Sequence, residues 1–129
     1  MPTEFSVSLQ DEPGTLARLG AALGDVGVNI EGIAGSSRAG ISRVQFVCNA
    51  PDRAIRGLEA AGIPFVTREV IEVRVLDEPG TLGEVALVMA KAGINIDAVY
   101  VTTRGHVVLG VDDLAAAVQV AGGMAVLDP

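Results

Sequence analysis

The tetrapeptide Asp11-Glu12-Pro13-Gly14 sets two carboxylates directly before a Pro-Gly turn, and Asp77-Glu78-Pro79-Gly80 repeats it. Each copy leads into a stretch whose apolar residues recur every three or four positions, the spacing of an amphipathic helix. A chain that turns from strand to helix at Pro-Gly leaves four backbone N–H groups unpaired at the positive end of the helix dipole. That end suits an anion such as a carboxylate, by about 0.3–1 kcal/mol when exposed and up to ~2 kcal/mol when partly buried. Asp11 and Asp77 supply the opposite charge nearby. Past each helix a Gly is followed by an amide, Asn29 in Gly-Val-Asn-Ile and Asn95 in Gly-Ile-Asn-Ile. Such an amide accepts from an ammonium and donates to a carboxylate. The set therefore has the chemistry to receive the part common to all free amino acids. A plainer reading of the same residues stands beside it: Pro-Gly turns the chain, Asp11 caps a helix, and Asn29 satisfies its own backbone.

These loops recur because the chain is a duplication. Aligning 11–33 with 77–99 at a constant offset of 66 leaves nine of 23 positions identical, with Val28/Ile94, Glu31/Asp97 and Ile33/Val99 among the mild exchanges. The match continues to Arg38/Arg104. We therefore expect two domains, 1–69 and 70–129, each with its own small core.

The elements that carry the loops follow from periodicity. Phe5, Val7 and Leu9 alternate as in a half-buried strand, and Leu16, Leu19, Leu23 and Val26 fall on one stripe of a helix over 15–26 that Gly27 can end. A strand from Asn29, a turn at Arg38-Ala39-Gly40 and a strand over 41–48 form a hairpin. Pro51-Asp52 opens a second helix on Ala54, Ile55, Leu58 and Ala61, and 65–69 is a fourth strand. The order then repeats: a strand on Ile71, Val73 and Val75, a helix on Leu82, Val85, Met89 and Ala92, and a hairpin turning at Arg104-Gly105. A short helix on Leu114, Val118 and Ala121, capped by Asp112 or Asp113, precedes a brief strand over 124–127. The second copy is shorter, with its deficit expected after the hairpin turn. Strand, helix, strand, strand, helix, strand predicts an α+β fold: two ferredoxin-like βαββαβ units in tandem, antiparallel sheets with the helices on one face.

Composition removes several function classes. Net charge is −7, the single Lys is Lys91 and the eight Arg are scattered, so no basic patch fits nucleic acid or an anionic membrane. No apolar run approaches the ~18–20 residues of a membrane span, and no signal segment is recognisable, which points to the cytoplasm. Cys48 is the only cysteine and His106 the only histidine. Cys48 reads as a core residue and His106 as a solvated residue at the mouth of a hairpin. Neither belongs to a catalytic or metal-ligand cluster, so we expect no enzyme activity, no metal and no cofactor. Tyr100 reads as partly buried packing, with a ligand contact as the alternative.

Strand, Asp-x-Pro-Gly-x-Leu, amphipathic helix, Gly-[Val/Ile]-Asn-Ile, strand resembles the ACT domain, the small ligand-binding module of amino-acid metabolism, twice over and along essentially the whole chain. Stand-alone proteins built from two ACT units look most similar. The resemblance implies a regulatory, allosteric sensor, a homodimer or other homo-oligomer with a metabolic enzyme or regulator as possible partner. It also implies an amino-acid effector held between paired domains by the loop before the first helix and the Asn-Ile at the second strand. Those positions are Asp11, Glu12, Gly14, Asn29 and Ile30, with Asp77, Glu78, Gly80, Asn95 and Ile96. Leu9 stands where some members carry a His. The Glu-Ser-Arg-Pro signature of members that sense aromatic amino acids is absent, so phenylalanine specificity is not implied. The alternative function is a ligand-independent adaptor that pairs through its sheet edges.

Overall fold

The computed structural model describes residues 1–122, and the brief strand expected over 124–127 lies outside them. The chain divides into two compact units, Thr3–Arg68 and a second built from Glu69 onward together with Met1–Pro2. The first runs β1 (Thr3–Gln10), α1 (Thr15–Gly24), β2 (Ile30–Arg38), β3 (Ile41–Cys48), α2 (Pro51–Ala60) and β4 (Val66–Glu69). The second runs β5 (Ile71–Arg74), α3 (Thr81–Lys91), β6 (Ile96–Val101), β7 (His106–Val111) and α4 (Leu114–Gly122). Both are ferredoxin-like, with sheets ordered β2-β3-β1-β4 and, among the described residues, β5-β7-β6.

In the first unit Phe5, Val7, Leu9, Val44 and Phe46 on the sheet meet Leu19, Leu23, Ala54 and Leu58 on the helices. Alternation along the strands and i, i+4 spacing along the helices make this one face of each. The rings of Phe5 and Phe46 stack at 5.0 Å. Ile71, Val73, Val107 and Leu109 likewise meet Val85, Met89, Ala117 and Ala121 in the second. α1 and α2 approach closely because Gly57 has no side chain: a Cβ there would stand 2.7 Å from the Ala22 carbonyl oxygen.

Three expectations change. Leu16 and Leu82 head the helical stripes in sequence yet are 60 % and 54 % exposed, because the buried face begins one turn later, at Leu19 and Val85. Val118 is exposed too, with Ala117 and Ala121 facing the core of the second unit. Shortening of the second copy begins within the hairpin. In the first unit Arg38 pairs with Ile41 across a two-residue turn in which Ala39 (φ 54°) and Gly40 (φ 81°) are both left-handed, the backbone that matches the twist of paired strands. In the second, Thr102 N–H donates to the His106 carbonyl and Gly105 N–H to the Thr102 carbonyl, closing a three-residue loop with Gly105 left-handed.

Candidate functional site

Both Pro-Gly loops close in the same way. Gly14 (φ 95°, ψ −16°) and Gly80 (φ 90°, ψ −14°) are the N-cap residues, in a left-handed conformation open to Gly at little cost, and no side chain caps either helix. Pro13 therefore lies in the turn rather than at the first helical position, and Asp11 does not cap α1. The loop is pinned instead by Thr15, whose hydroxyl donates to the carbonyls of Gln10 at 2.9 Å and Glu12 at 3.1 Å. Asp11 N–H donates to the Gly40 carbonyl at 3.0 Å, which ties the loop to the tip of the β2–β3 hairpin. Asp11, Glu12 and Gly14 are exposed, as are Asp77, Glu78 and Gly80.

Two hollows flank the first loop. One of about 480 Å³ is bounded by Gln10, Glu12, Gly14, Arg18, Ile63 and Pro64. Arg18, which donates to the Ala61 carbonyl, brings a guanidinium beside the helix start. The other, about 350 Å³, lies on the side of the β2 edge between Leu16 and Ile33, Gly35 and Val44. The position equivalent to Arg18 at the 66-residue offset is Glu84, an acidic residue in the first turn of α3. A carboxylate there favours the helix itself but opposes an incoming anion.

The amide positions sit elsewhere. Asn29 precedes β2 and Asn95 precedes β6, and both are exposed, with Ile30 and Ile96 half-buried behind them. The backbone at each is held reciprocally. Asn29 N–H donates to Asn49 Oδ1 at 2.9 Å while Asn49 N–H donates to the Asn29 carbonyl at 3.2 Å. Asn95 N–H and Asp112 Oδ1 make the same contact at 3.0 Å, with Asp112 N–H to the Asn95 carbonyl at 3.2 Å. A strand irregularity follows each, between Ile30 and Gly32 and between Ile96 and Ala98.

Within one unit the two halves of the candidate site lie apart. β1 and β2 both run antiparallel to β3, so the loop after β1 borders the far end of β2 while Asn29 begins its near end. Nine residues of strand separate them, roughly 30 Å at ~3.3 Å per residue. Asp11, Glu12 and Gly14 form one cluster and Asn29 and Ile30 another, and the second unit repeats the division.

Thr15, Arg18 and Asn49 are contacts that sequence reasoning did not single out; Asp112, one of the two caps expected for α4, holds Asn95 instead, and Asp113 Oδ1 accepts from Ala116 N–H. Thr15 was visible within the repeated hexapeptide. The Asn49/Asp112 pair was masked by a change of residue and by a separation from its Asn of 20 positions in one copy and 17 in the other. Tyr100 is buried. His106 is not a solvated turn residue: it starts β7, and its Nδ1 lies 3.5 Å from Glu72 Oε1. Cys48 packs against the first core, and burial pushes its thiol above the ordinary range, opposed by a hydrogen bond from the backbone at Ala50 and reinforced by Glu31. Among the described residues no three His, Cys, Asp or Glu side chains group as metal ligands, and no helix is long and apolar enough to cross a membrane.

The model of the ACT domain matches residues 3–54 and again 70–120, both times through the loop, helix and Asn-Ile strand start described above. The chain belongs to the ACT domain family. ACT modules are regulatory rather than catalytic, and this tandem pair is not an enzyme. A solved protein from Bacteroides thetaiotaomicron shares the tandem fold with TM-score 0.88 and 18 % identity, over 98 % of this chain and 90 % of that one. The regulatory subunit of aspartate kinase from Thermus thermophilus in its ligand-free form superposes with TM-score 0.71 and 17 % identity, over 92 % and 89 %. The subunit from Thermus flavus gives 0.70 and 17 %, with the same shares. No curated protein matches the chain.

Proposed function

We propose that this tandem ACT chain is a cytoplasmic amino-acid sensor that biases a metabolic enzyme or regulator, as the regulatory subunits of aspartate kinase are named for doing in theirs. The observation that carries the reading is the doubling of one helix start that no side chain caps, each with a left-handed Gly at the N-cap position and carboxylates beside it. Uncapped N–H donors take a ligand carboxylate and Asp11 or Glu12 takes its ammonium. Asn29 and Ile30, a strand's length away in the same unit, contribute to a complete site only when a second unit brings its own strand start to the loop. For that reason the proposal includes a paired assembly such as a homodimer, with Asp77, Glu78, Gly80, Asn95 and Ile96 as the corresponding set.

A ligand of roughly eight heavy atoms reaches about −4 to −8 kcal/mol, so millimolar to micromolar affinity is expected. A thermal-shift screen of the twenty amino acids and the common nucleotides tests the reading. Ligand at about 100 times its dissociation constant adds ~2.7 kcal/mol, which raises Tm by roughly 4–8 °C. Silence across all twenty amino acids at 10 mM would transfer the case to an adaptor without ligand. That second reading has its own support in the edge strands β2 and β6, which expose Ile33, Val99 and Val101.

A further inference from the structure

Position 35 distinguishes the two units beside their loops. β2 and β3 keep one register from Gly32 to Arg38, and Gly35 lies opposite Val44 as Val101 lies opposite Val107 in the second unit. Val44 and Val107 both belong to their cores, so Gly35 and Val101, one offset of 66 apart, face the helix side of their sheets. A glycine inside a strand weakens it and marks a bulge or a place where a ligand or another backbone comes close. The irregularity of β2 falls earlier, between Ile30 and Gly32, and Gly35 is not left-handed. Nor is a side chain excluded for want of room. A Cβ there would stand 3.4 Å from Val44 Cγ2 and 3.5 Å from the Arg43 carbonyl oxygen, which are ordinary contacts.

What the missing side chain leaves open is the hollow of about 350 Å³ that begins at Thr15, the first residue after the Gly14 N-cap. Buried Leu9 and Val44 form its floor, and exposed Leu16 and Ile33 stand at its rim. Hydroxyls on its wall are engaged: Thr15 donates to two carbonyls of the loop, and Ser37 and Ser42 bond to each other. No ionisable side chain among the described residues lines it. A charged head placed there would lose water without gaining a partner. Ligand sites run from about 300 to 1,000 Å³, so a hollow at the small end of that range suits a group of a few carbons rather than a nucleotide or a peptide. In the second unit the isopropyl group of Val101 takes up the space that Gly35 leaves free.

We propose that Gly35 sets the specificity of the first site: the hollow takes the side chain of an aliphatic amino acid such as valine or leucine, and Val101 restricts the second site to a smaller one. This rests on the reading that the first loop holds the carboxylate and ammonium common to all amino acids. Each methylene buried in such a hollow is worth about fourfold in affinity. Calorimetric titration of the full chain should therefore find valine and leucine bound at least ~10-fold more tightly than alanine, and more tightly than lysine or glutamate. Gly35→Val copies the second unit and should lower the leucine-to-alanine affinity ratio by about tenfold, with Gly35→Ala lowering it less. Valine favours a strand, so denaturant unfolding should find Gly35→Val at least as stable as the parent. Should valine strain the strand, Gly35→Ala still reads the ratio. Binding of no amino acid would remove the loop reading and this proposal with it. Binding without preference for aliphatic side chains, or a ratio that Gly35→Val leaves intact, would overturn this proposal alone. So would joint loss of leucine and alanine together with loss of a parent dimer in sedimentation, which would assign the hollow to a second copy of the chain.

Discussion

The two units share their loop and lose their symmetry one helical turn later. Gly14 and Gly80 agree within a few degrees, and Gly27 and Gly93 both close their helices at φ 73°. Around that common frame the charges diverge: Asp11, Glu12 and Arg18 sum to −1, whereas Asp77, Glu78 and Glu84 sum to −3. Backbone geometry alone would make the two loops equal receptors for a carboxylate. Two units of charge at one helix start make them unequal, and the first loop is the better candidate. A duplicated fold thus keeps its shape through backbone-determining residues such as Gly, while exposed side chains remain free to specialise the copies.

The sharpest way to break this comparison is at the cap. Gly14→Asp should abolish amino-acid binding at the first loop, and Gly80→Asp should remove a weaker site. A Cβ at either position meets nothing within 4 Å, so the fold should lose only about 1–2 kcal/mol for a side chain in the left-handed region. Calorimetric titration with the best amino acid from the thermal-shift screen separates the outcomes. Unchanged affinity in both variants would remove the loops from the site altogether.

Charge exchange comes next. Arg18→Glu should weaken binding at the first loop by about tenfold or more, and Glu84→Arg should strengthen the second by a similar factor, since a charge-assisted contact is worth ~1.5–3 kcal/mol. If neither exchange changes affinity by a factor of two, the asymmetry of charge has no functional weight.

Much of this frame was legible beforehand, for physical reasons. Pro-Gly, the Gly that ends each helix and Pro51 mark boundaries through backbone constraint, and alternation of Phe5, Val7 and Leu9 assigns one face of a strand wherever it occurs. The exposure of Leu16 and Leu82 was not legible, because where a sheet stops covering a helix is a tertiary fact. The separation of the loops from Asn29 and Asn95 was available in principle. A strand-helix-strand crossover makes the flanking strands parallel, so the end of one and the start of the next lie at opposite ends of the sheet. The Asn49 and Asp112 clamps were hidden because the hairpin deletion shifts the offset between copies from 66 to 63.

Packing offers the third contrast. Gly57 lets α1 and α2 touch, with Ala22 O at 2.7 Å and Val26 Cγ2 at 2.8 Å from a Cβ built there. The matching position in α4, three residues after Ala117 as Gly57 is after Ala54, is Val120. Gly57→Ala should therefore destabilise the first unit by about 1–3 kcal/mol through displaced backbone. Denaturant unfolding measures it, and a variant as stable as the parent would show that the helices can part at no cost.

A smaller effect is expected at the clamps. Asn49→Ala leaves Asn29 N–H without its partner and should cost ~1 kcal/mol, with faster amide exchange at Asn29. Asn49→Asp copies the second unit and should stay within about 0.5 kcal/mol of the parent. Equal losses in both would mean that the site needs the amide itself rather than an acceptor.

The least effect, and the cleanest in sign, concerns Cys48. It pairs with Ile30 as Val111 pairs with Ile96, so the copies place a thiol and an isopropyl group at one position. Burial raises the thiol above its ordinary value in the folded state. Between the unfolded and folded values the native chain binds more protons than the unfolded one, so stability falls as pH rises. The contribution is full below the unfolded value, about 8.5, and is lost progressively as pH climbs toward the raised folded value. Cys48→Val should flatten that alkaline slope while leaving stability near pH 7 almost unchanged, as a small apolar exchange beside the core. Chemical denaturation at pH 7, 9 and 10 reads the difference directly. The parent should also resist iodoacetamide at pH 7.5, because the reactive thiolate is suppressed. Rapid alkylation of the folded chain at that pH, or a slope that survives Cys48→Val, would show that burial does not hold the proton on this thiol.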